Sequence, residues 1–600
     1  MTTFTVWAPS ADTVELVLGV PSDGPTGLPM SRASDGWWSV TDDGSGHGTR
    51  YAFRIDGGDP VPDPRSRRQP DGVHAPSAVY DHARFTWSDG YWAGTDPATT
   101  VAYELHIGTF TDGGTFDSAL ERLPHLVELG VTLVEVLPVA AFDGTAGWGY
   151  DGVGLHAVHE PYGGPDALKR FVDAAHRLGL GVCVDAVYNH FGPSGNYVAR
   201  FGPYFTDRYS TPWGDAVNLD DAESDTVRAF VVDSAAQWLR DFHVDALRLD
   251  ATHAYYDPER ALSLQEDLAA MADGLTASTG VRRWLVAENE LNDPDLTAPR
   301  AGTGGIGAGG IGAGGVGVHA QWADDIHHSL HALLTGESGG YYADFATDPY
   351  ASVAKVATRV FFHDGTFSTF RRRTHGRPVD PATTHGSRFW AYLQDHDQIG
   401  NRAVGDRQAA TVPVGRLAAG AALVFTLPFT PMVFMGEEWA AGTPWQFFAS
   451  FPDPELGDAV RNGRRSEFAR HGWDVEEVPD PQSARTVRDS TLDWSELDEP
   501  GHRRVLDWYR TLIALRASTP ELGTGIVGDV RVGHDRGAQW LWLRRGAVLT
   551  VGALGPGGAN VPLPPGPGPA TVLAGWDPAA SVRDGVVSLP GAGAVVLRLG

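Results

Sequence analysis

A single cysteine, Cys183, occurs in 600 residues. An internal disulfide is excluded, and the apolar setting LGVCVDAVY marks Cys183 as a small core residue. No stretch of about 20 apolar residues is present, so no membrane-spanning helix is expected. The opening MTTFTVWAPSADTVELVL lacks a basic segment followed by an apolar run, so no secretory signal is read and the cytoplasm is the expected location. Positive charge is scarce: Lys and Arg total 46 against 75 Asp and Glu, a formal net charge of -29. That balance argues against nucleic acid or an anionic membrane as a partner and suits a neutral or cationic substrate.

What is present is globular. The hydrophobic fraction is 42% and the charged fraction 20%, enough for large cores. Length allows three or four domains at about 150 residues each, or fewer if one is a barrel of about 250. Residues 1–95 read as short strands with Gly/Asp turns, an N-terminal β-sandwich of the carbohydrate-binding-module kind. Its Trp7, Trp37 and Trp38 are candidates for stacking on sugars, although such residues are more often sandwich core.

From Thr100 the texture alternates between strand and helix, the pattern of a parallel sheet wrapped by helices. The expected strands are VAYELHIGTF, TLVEVLPV, GVCVDAVYNH, VDALRLD, RRWLVAENE, HHSLHALLTG, RFWAYLQDHDQ and TPMVFMGEE. Eight strands close a (β/α)8 TIM barrel, assigned to residues 96–524. Residues 525–600 turn β again and form a C-terminal antiparallel β domain. Two segments interrupt the barrel: the glycine-rich Ala301–Gly317, and the long aromatic loop Phe191–Leu219 after the third strand.

The chemistry centres on VDALRLDATH, Val244 to His253. Arg248 and Asp250 lie two apart and leave one face of a strand, and the neighbouring positive charge favours the ionised Asp. A lone R-x-D is more often a structural ion pair. Here, however, Asp185 with Asn189 and His190, Asp250 with Arg248, Glu288, and Asp397 with His396 all fall at strand ends that a TIM barrel brings to one rim. Crowded carboxylates push their pKa values apart and supply one ionised and one protonated group, as glycoside hydrolysis requires.

DAVYNH, ALRLDATH, VAENELNDP and LQDHDQ resemble, in order, the four motifs of the α-amylase family of glycoside hydrolases. The resemblance implies Asp250 as nucleophile, Glu288 as acid/base and Asp397 as the carboxylate that stabilises the transition state, in a retaining double displacement. It implies Asp185, His190, Arg248 and His396 lining subsite −1, with Tyr150 of GWGYDG stacking on the −1 sugar. Asn189 resembles a calcium-site position of that family. The acidic partner domain that completes the site is not apparent, so neither metal nor cofactor is expected.

Longer blocks, among them NHFGPSGNY, QWADDIHHSLHALLTGE and DHDQIGNRAVGDR, resemble the members that act on malto-oligosyltrehalose and release trehalose. Malto-oligosyltrehalose and related α-glucans are then the expected partners, and trehalose formation the expected role. Trehalose recognition is expected from Trp213, as a flat face for a pyranose, and from Asp324 and Asp325, as hydroxyl acceptors. The chain departs from the family pattern at Asn289 and Glu290, where Ser and Asp are expected, and at Asp395, where Asn is expected. The alternatives are a glycogen branching or debranching enzyme with the same layout, or a non-catalytic carbohydrate-binding protein on an inactive barrel.

Overall fold

The structure, a computed structural model, describes residues 1–19, 27–300, 314–470, 477–564 and 570–600. Eight parallel strands close a barrel: β1 (Ala102–Leu105), β2 (Leu133–Val136), β3 (Gly181–Ala186), β4 (Ala246–Leu249), β5 (Trp284–Ala287), β6 (Ala320–Trp322), β7 (Phe389–Tyr392) and β8 (Thr430–Phe434). The ring closes where Met432–Phe434 pair with Ala102–Glu104.

Every residue of these eight strands is buried. This is why they read as apolar runs rather than as alternating patterns. Alternation persists in where the side chains go. Ala102, Leu133, Cys183, Ala246, Trp284, Trp390 and Met432 form one cluster inside the ring, while Leu247 and Leu249 join the outer core beneath the helices. Two residues further along, the inward positions of β1 to β4 carry Glu104, Glu135, Asp185 and Arg248. The barrel thus changes from a dry base to a charged upper layer within one period of the strand.

Helices α1 (Gly164–Arg177), α2 (Ser224–Asp241) and α3 (Leu264–Thr279) wrap the ring. In α1, Ala167, Leu168, Phe171, Val172 and Ala175 are buried at helical spacing. Gly179, with φ of 82°, ends that helix in a left-handed turn, as the sequence predicts. Helix α3 begins at Leu264, where Ser263 and Glu266 form a reciprocal capping box.

The sixth strand corrects the sequence reading. HHSLHALLTG is not a strand: its residues lie in α4 (Asp324–Thr335), and the strand is the three-residue Ala320–Trp322 just before it. Asp325 through Leu334 are all buried, so this helix shows no polar face. A short run buried on all sides shows no alternation by which periodicity could assign it to strand or helix.

The N-terminal region has two sheets, one of three strands and one of four. Trp7 and Trp38 are only 1% and 6% exposed and belong to the core. Trp7 meets Tyr204 edge-on, tying this region to the long loop after β3, and a Cβ at Gly202 would fall 2.7 Å from the Trp7 ring. Trp37 is half-buried, with the Arg65 guanidinium 5.5 Å from its ring centroid. After β7 come α5 (His396–Gly400), α6 (Val414–Thr426) and α7 (Pro500–Ser518), then antiparallel sheets of five and three strands between Val530 and Leu599. Of the glycine-rich segment, residues 301–313 lie outside the described residues. No helix among the described residues is long and apolar enough to cross a membrane.

The base of the barrel is closed by a buried ion-pair cluster. His176 lies 2.9 Å from Asp89 and 3.0 Å from Asp245, with Trp92 stacked on its ring. Asp245 also accepts the Val182 N–H at 2.8 Å and the Trp92 indole N–H at 2.7 Å.

Candidate active site

Arg248 is the hub of the upper rim. It is fully buried on β4, in register with Asp185 on β3 and Val286 on β5. Its Nη1 donates to Asp185 Oδ2 and to Asp250 Oδ1, each at 2.7 Å. Its Nη2 donates to Glu288 Oε2 at 2.9 Å. The guanidinium lies over the Trp322 ring, 4.5 Å from its centroid. One planar cation therefore holds three carboxyl groups delivered by three adjacent strands. The fork geometry of arginine permits this and the point charge of lysine does not.

The two carboxyls central to the chemistry are driven apart. Burial works against the charge on Asp250, but Arg248, His190 and the 2.7 Å bond from the Asn189 amide outweigh it and hold its pKa below the usual carboxylate value. Glu288 goes the other way. Burial, reinforced by the charges of Asp250, Asp397 and Asp324, pushes it well up despite Arg248. Its Oε2 also accepts the Ala251 N–H at 2.8 Å. The pair thus comprises one carboxyl held toward its ionised form, Asp250, and one held toward its protonated form, Glu288, the division of labour that acid-assisted displacement needs.

The other expected residues surround this pair. Tyr150 donates to Asp185 Oδ2 at 2.6 Å and lies 2.8 Å from His396 Nε2, its ring stacked on the imidazole. Burial raises Asp185 to about 6, against the pull of Arg248. His190 bonds through Nε2 to the Tyr150 carbonyl at 2.9 Å and through Nδ1 to the Asn189 side chain. Asp397, on the first turn of α5, keeps 41% of its side chain exposed and lies 3.5 Å from His396. Asp395 caps α5 by accepting the Gln398 N–H at 2.7 Å, and burial raises its pKa well above the usual value. Asn289 donates to the Thr252 hydroxyl at 3.0 Å, and Glu290 pairs with Arg371 at 3.0 Å.

Trehalose recognition had been expected from three side chains, and they part company. Asp324 faces the rim: Tyr392 donates to it at 2.5 Å, and its charge bears on Glu288. Trp213 sits at the tip of the hairpin Phe205–Thr211/Gly214–Val217, half exposed. Asp325 commits one of its oxygens to the protein. Its Oδ2 accepts the N–H groups of Phe362 and His363 at 2.8 and 2.9 Å and the Asn292 amide at 2.8 Å. That oxygen braces a loop and has no capacity left for a sugar hydroxyl.

Two inward acids escaped the sequence reading, Glu104 on β1 and Glu135 on β2, which face each other in register. Each interrupts an apolar strand at an inward position, the signal that could have found them. Glu104 receives both the His396 main-chain N–H, at 3.1 Å, and His396 Nδ1. No group of three or more His, Cys, Asp or Glu side chains among the described residues is arranged to hold a metal ion. Asn189 instead gives its amide to Asp250.

Comparison with known proteins agrees with this geometry. Residues 78–209 match the α-amylase catalytic domain, and residues 1–69 match carbohydrate-binding module 48, the isoamylase N-terminal domain. A malto-oligosyltrehalose trehalohydrolase from Arthrobacter ramosus is 50% identical over 99% of both chains. A 1,4-α-glucan branching enzyme from Pseudoalteromonas atlantica is 34% identical but covers only 42% of this chain. The crystal structure of a putative α-amylase from Salmonella typhimurium superposes with a TM-score of 0.88 at 34% identity, covering 99% of this chain and 97% of that one. With half of its residues shared end to end with such a relative, the chain belongs to the malto-oligosyltrehalose trehalohydrolases of the α-amylase family.

Proposed function

We propose that this protein hydrolyses the α-1,4-glucosidic bond next to the terminal trehalose unit of malto-oligosyltrehalose, with retention, releasing trehalose. The observation that carries the reading is the shared guanidinium. Arg248 spans Asp250, whose pKa its charge lowers, and Glu288, whose pKa burial raises. A single planar cation bonded to both keeps them close, which favours direct attack; retaining enzymes separate the two groups by about 5 Å, inverting ones by about 6.5–9.5 Å.

In the first step Glu288 gives its proton to the glycosidic oxygen as Asp250 attacks the anomeric carbon. Trehalose departs, and the glycosyl ester on Asp250 remains. Glu288, now a carboxylate, takes a proton from water, whose oxygen attacks the same carbon and frees the shortened oligosaccharide. Asp397 steadies the positive charge that develops on the sugar ring, while Tyr150, Asp185, His190 and His396 hold the −1 sugar. Trp213 and Asp324 are the proposed contacts to the departing trehalose. The same reading divides the chain into a sandwich (1–95), the barrel (96–524) and a C-terminal β domain (525–600).

The branching-enzyme alternative is disfavoured because that relative matches less than half of the chain. A purely binding role is disfavoured by the opposite directions in which the pKa values of Asp250 and Glu288 are driven. Product analysis tests the proposal. Incubation with malto-oligosyltrehalose is expected to yield trehalose, with little action on glycogen branch points. New branch points or debranching as the main activity overturns it.

A further inference from the structure

We infer that Glu104 is a positioning residue for the reaction: by holding His396 as an imidazolium, it fixes the direction of a hydrogen-bond chain that runs from the barrel interior to Asp250. The inference rests on the role of Asp250 proposed above.

The chain can be followed link by link. Glu104 Oε1 contacts His396 Nδ1, and His396 Nε2 lies 2.8 Å from the Tyr150 hydroxyl. That hydroxyl lies 2.6 Å from Asp185 Oδ2, which also receives Arg248 Nη1 at 2.7 Å. The same Nη1 donates to Asp250 Oδ1 at 2.7 Å.

The hydrogen count sets the directions. Arginine only donates, so Asp185 and Asp250 both accept. Tyr150 has one proton. If that proton goes to an ionised Asp185, the tyrosine oxygen can only accept from His396, and Nε2 must carry hydrogen. Nδ1 faces a carboxylate oxygen and must carry one too. With both ring nitrogens protonated, His396 is a cation. Remove the carboxylate at 104 and a neutral His396 can present a bare Nε2. Tyr150 then turns its proton toward the ring, and Asp185 is left with one donor fewer or takes up a proton itself beside Arg248. Either change alters the charge that Arg248 divides between Asp185 and Asp250.

The surroundings of the ring favour the cation. The charged and titratable groups facing it are Glu104 and His106 from β1 and its exit, Glu135 from β2, Asp185 from β3, Arg248 from β4, Tyr150 from the loop after β2, and Asp395 and Asp397 from its own segment. Burial opposes the charge, but Asp397 and Glu104 outweigh it and raise His396 to about 10. Glu135, in register with Glu104, is pushed well up by burial and by Glu104, so charge on the one disfavours charge on the other.

The test combines spectroscopy with kinetics. In 15N-histidine-labelled protein the His396 signals are identified by their loss in H396Q. Wild type at neutral pH is expected to show both ring nitrogens protonated, and E104Q to lose the ring proton at a pH about 1–3 units lower than wild type, the effect of losing one close opposite charge. At a pH between the two midpoints E104Q is expected to lower kcat on malto-oligosyltrehalose by more than about tenfold relative to wild type, and E104D, which keeps the carboxylate, is expected to recover part of that loss. Because Glu104 acts through Tyr150, E104Q/Y150F is expected to fall within about twofold of the worse single variant, whereas a purely scaffolding Glu104 would give multiplying effects. A neutral His396 in wild type, a His396 titration in folded E104Q unchanged from wild type, or multiplying effects overturn the inference; the wild-type measurement decides even where E104Q does not fold. Persistent activity in D250A would instead overturn the proposed role of Asp250.

Discussion

Trp213 stacks on His190, the ring centroids 4.4 Å apart and the planes within 5° of parallel. His190 is anchored to the Tyr150 carbonyl and to Asn189, and Asn189 holds Asp250. A half-exposed tryptophan on a hairpin tip is thus two side chains from the proposed nucleophile. It braces His190 with one face and leaves the other open for a sugar. W213A is expected to lower kcat/KM for malto-oligosyltrehalose by about tenfold, roughly 1.4 kcal/mol, and for maltopentaose by clearly less. Equal losses on the two substrates would make Trp213 only a brace for His190.

Arg248 bonds Asp185, Asp250 and Glu288 with two nitrogens. R248K keeps the charge but cannot span all three. It is expected to cost at least about a hundredfold in kcat, the scale of removing one preorganised donor. Far-UV circular dichroism establishes that the variant is folded. A folded R248K with near wild-type turnover would show that the clamp is dispensable.

Asp250 and Glu288 predict the activity–pH profile. Activity requires Asp250 ionised, so the acid limb should lie below the ordinary Asp value of 3.8. It requires Glu288 protonated, so the alkaline limb should lie well above the ordinary Glu value of 4.5. D250A should be inactive. E288Q should still bind substrate but turn over at a residual rate without the alkaline limb, since the amide has no transferable proton. Persistence of that limb in E288Q would assign it to another group.

The His176 cluster predicts how stability follows pH. Burial opposes the charge on His176, but Asp245 and Asp89 prevail and raise it above 6.5. Its contribution is full below the unfolded value of about 6.5 and is lost as pH rises through the higher folded value. Asp89 behaves oppositely. Burial would raise it, but bonds from His176 and His243 lower it, so its contribution is present above about 3.9 and lost as pH falls. Tm should therefore be highest between these limits and decline on both sides. H176Q should have a lower maximum and a shallower alkaline decline. Alkaline slopes that coincide in the two proteins would show that His176 does not titrate with unfolding.

The sequence by itself determined a great deal. Seven of the eight barrel strands were legible because fully buried parallel strands leave short apolar runs bounded by turn residues. The rim acids were legible because parallel strands deliver their C-terminal ends to one face, so Asp185, Asp250 and Glu288 converge whatever the detail of the helices. Tertiary structure decided what local pattern could not carry. HHSLHALLTG is a helix because neighbours cover it on all sides, and β6 is only three residues long. Asp324 and Asp325 are adjacent in sequence, yet one faces the rim and the other spends an oxygen on two main-chain donors, Phe362 and His363, and on the Asn292 amide. Glu104 and His396, 292 residues apart, meet only because β8 pairs with β1 and closes the ring. Periodicity records which face of an element is buried; only closure of the barrel fixes which side chains from the two ends of the chain share that interior.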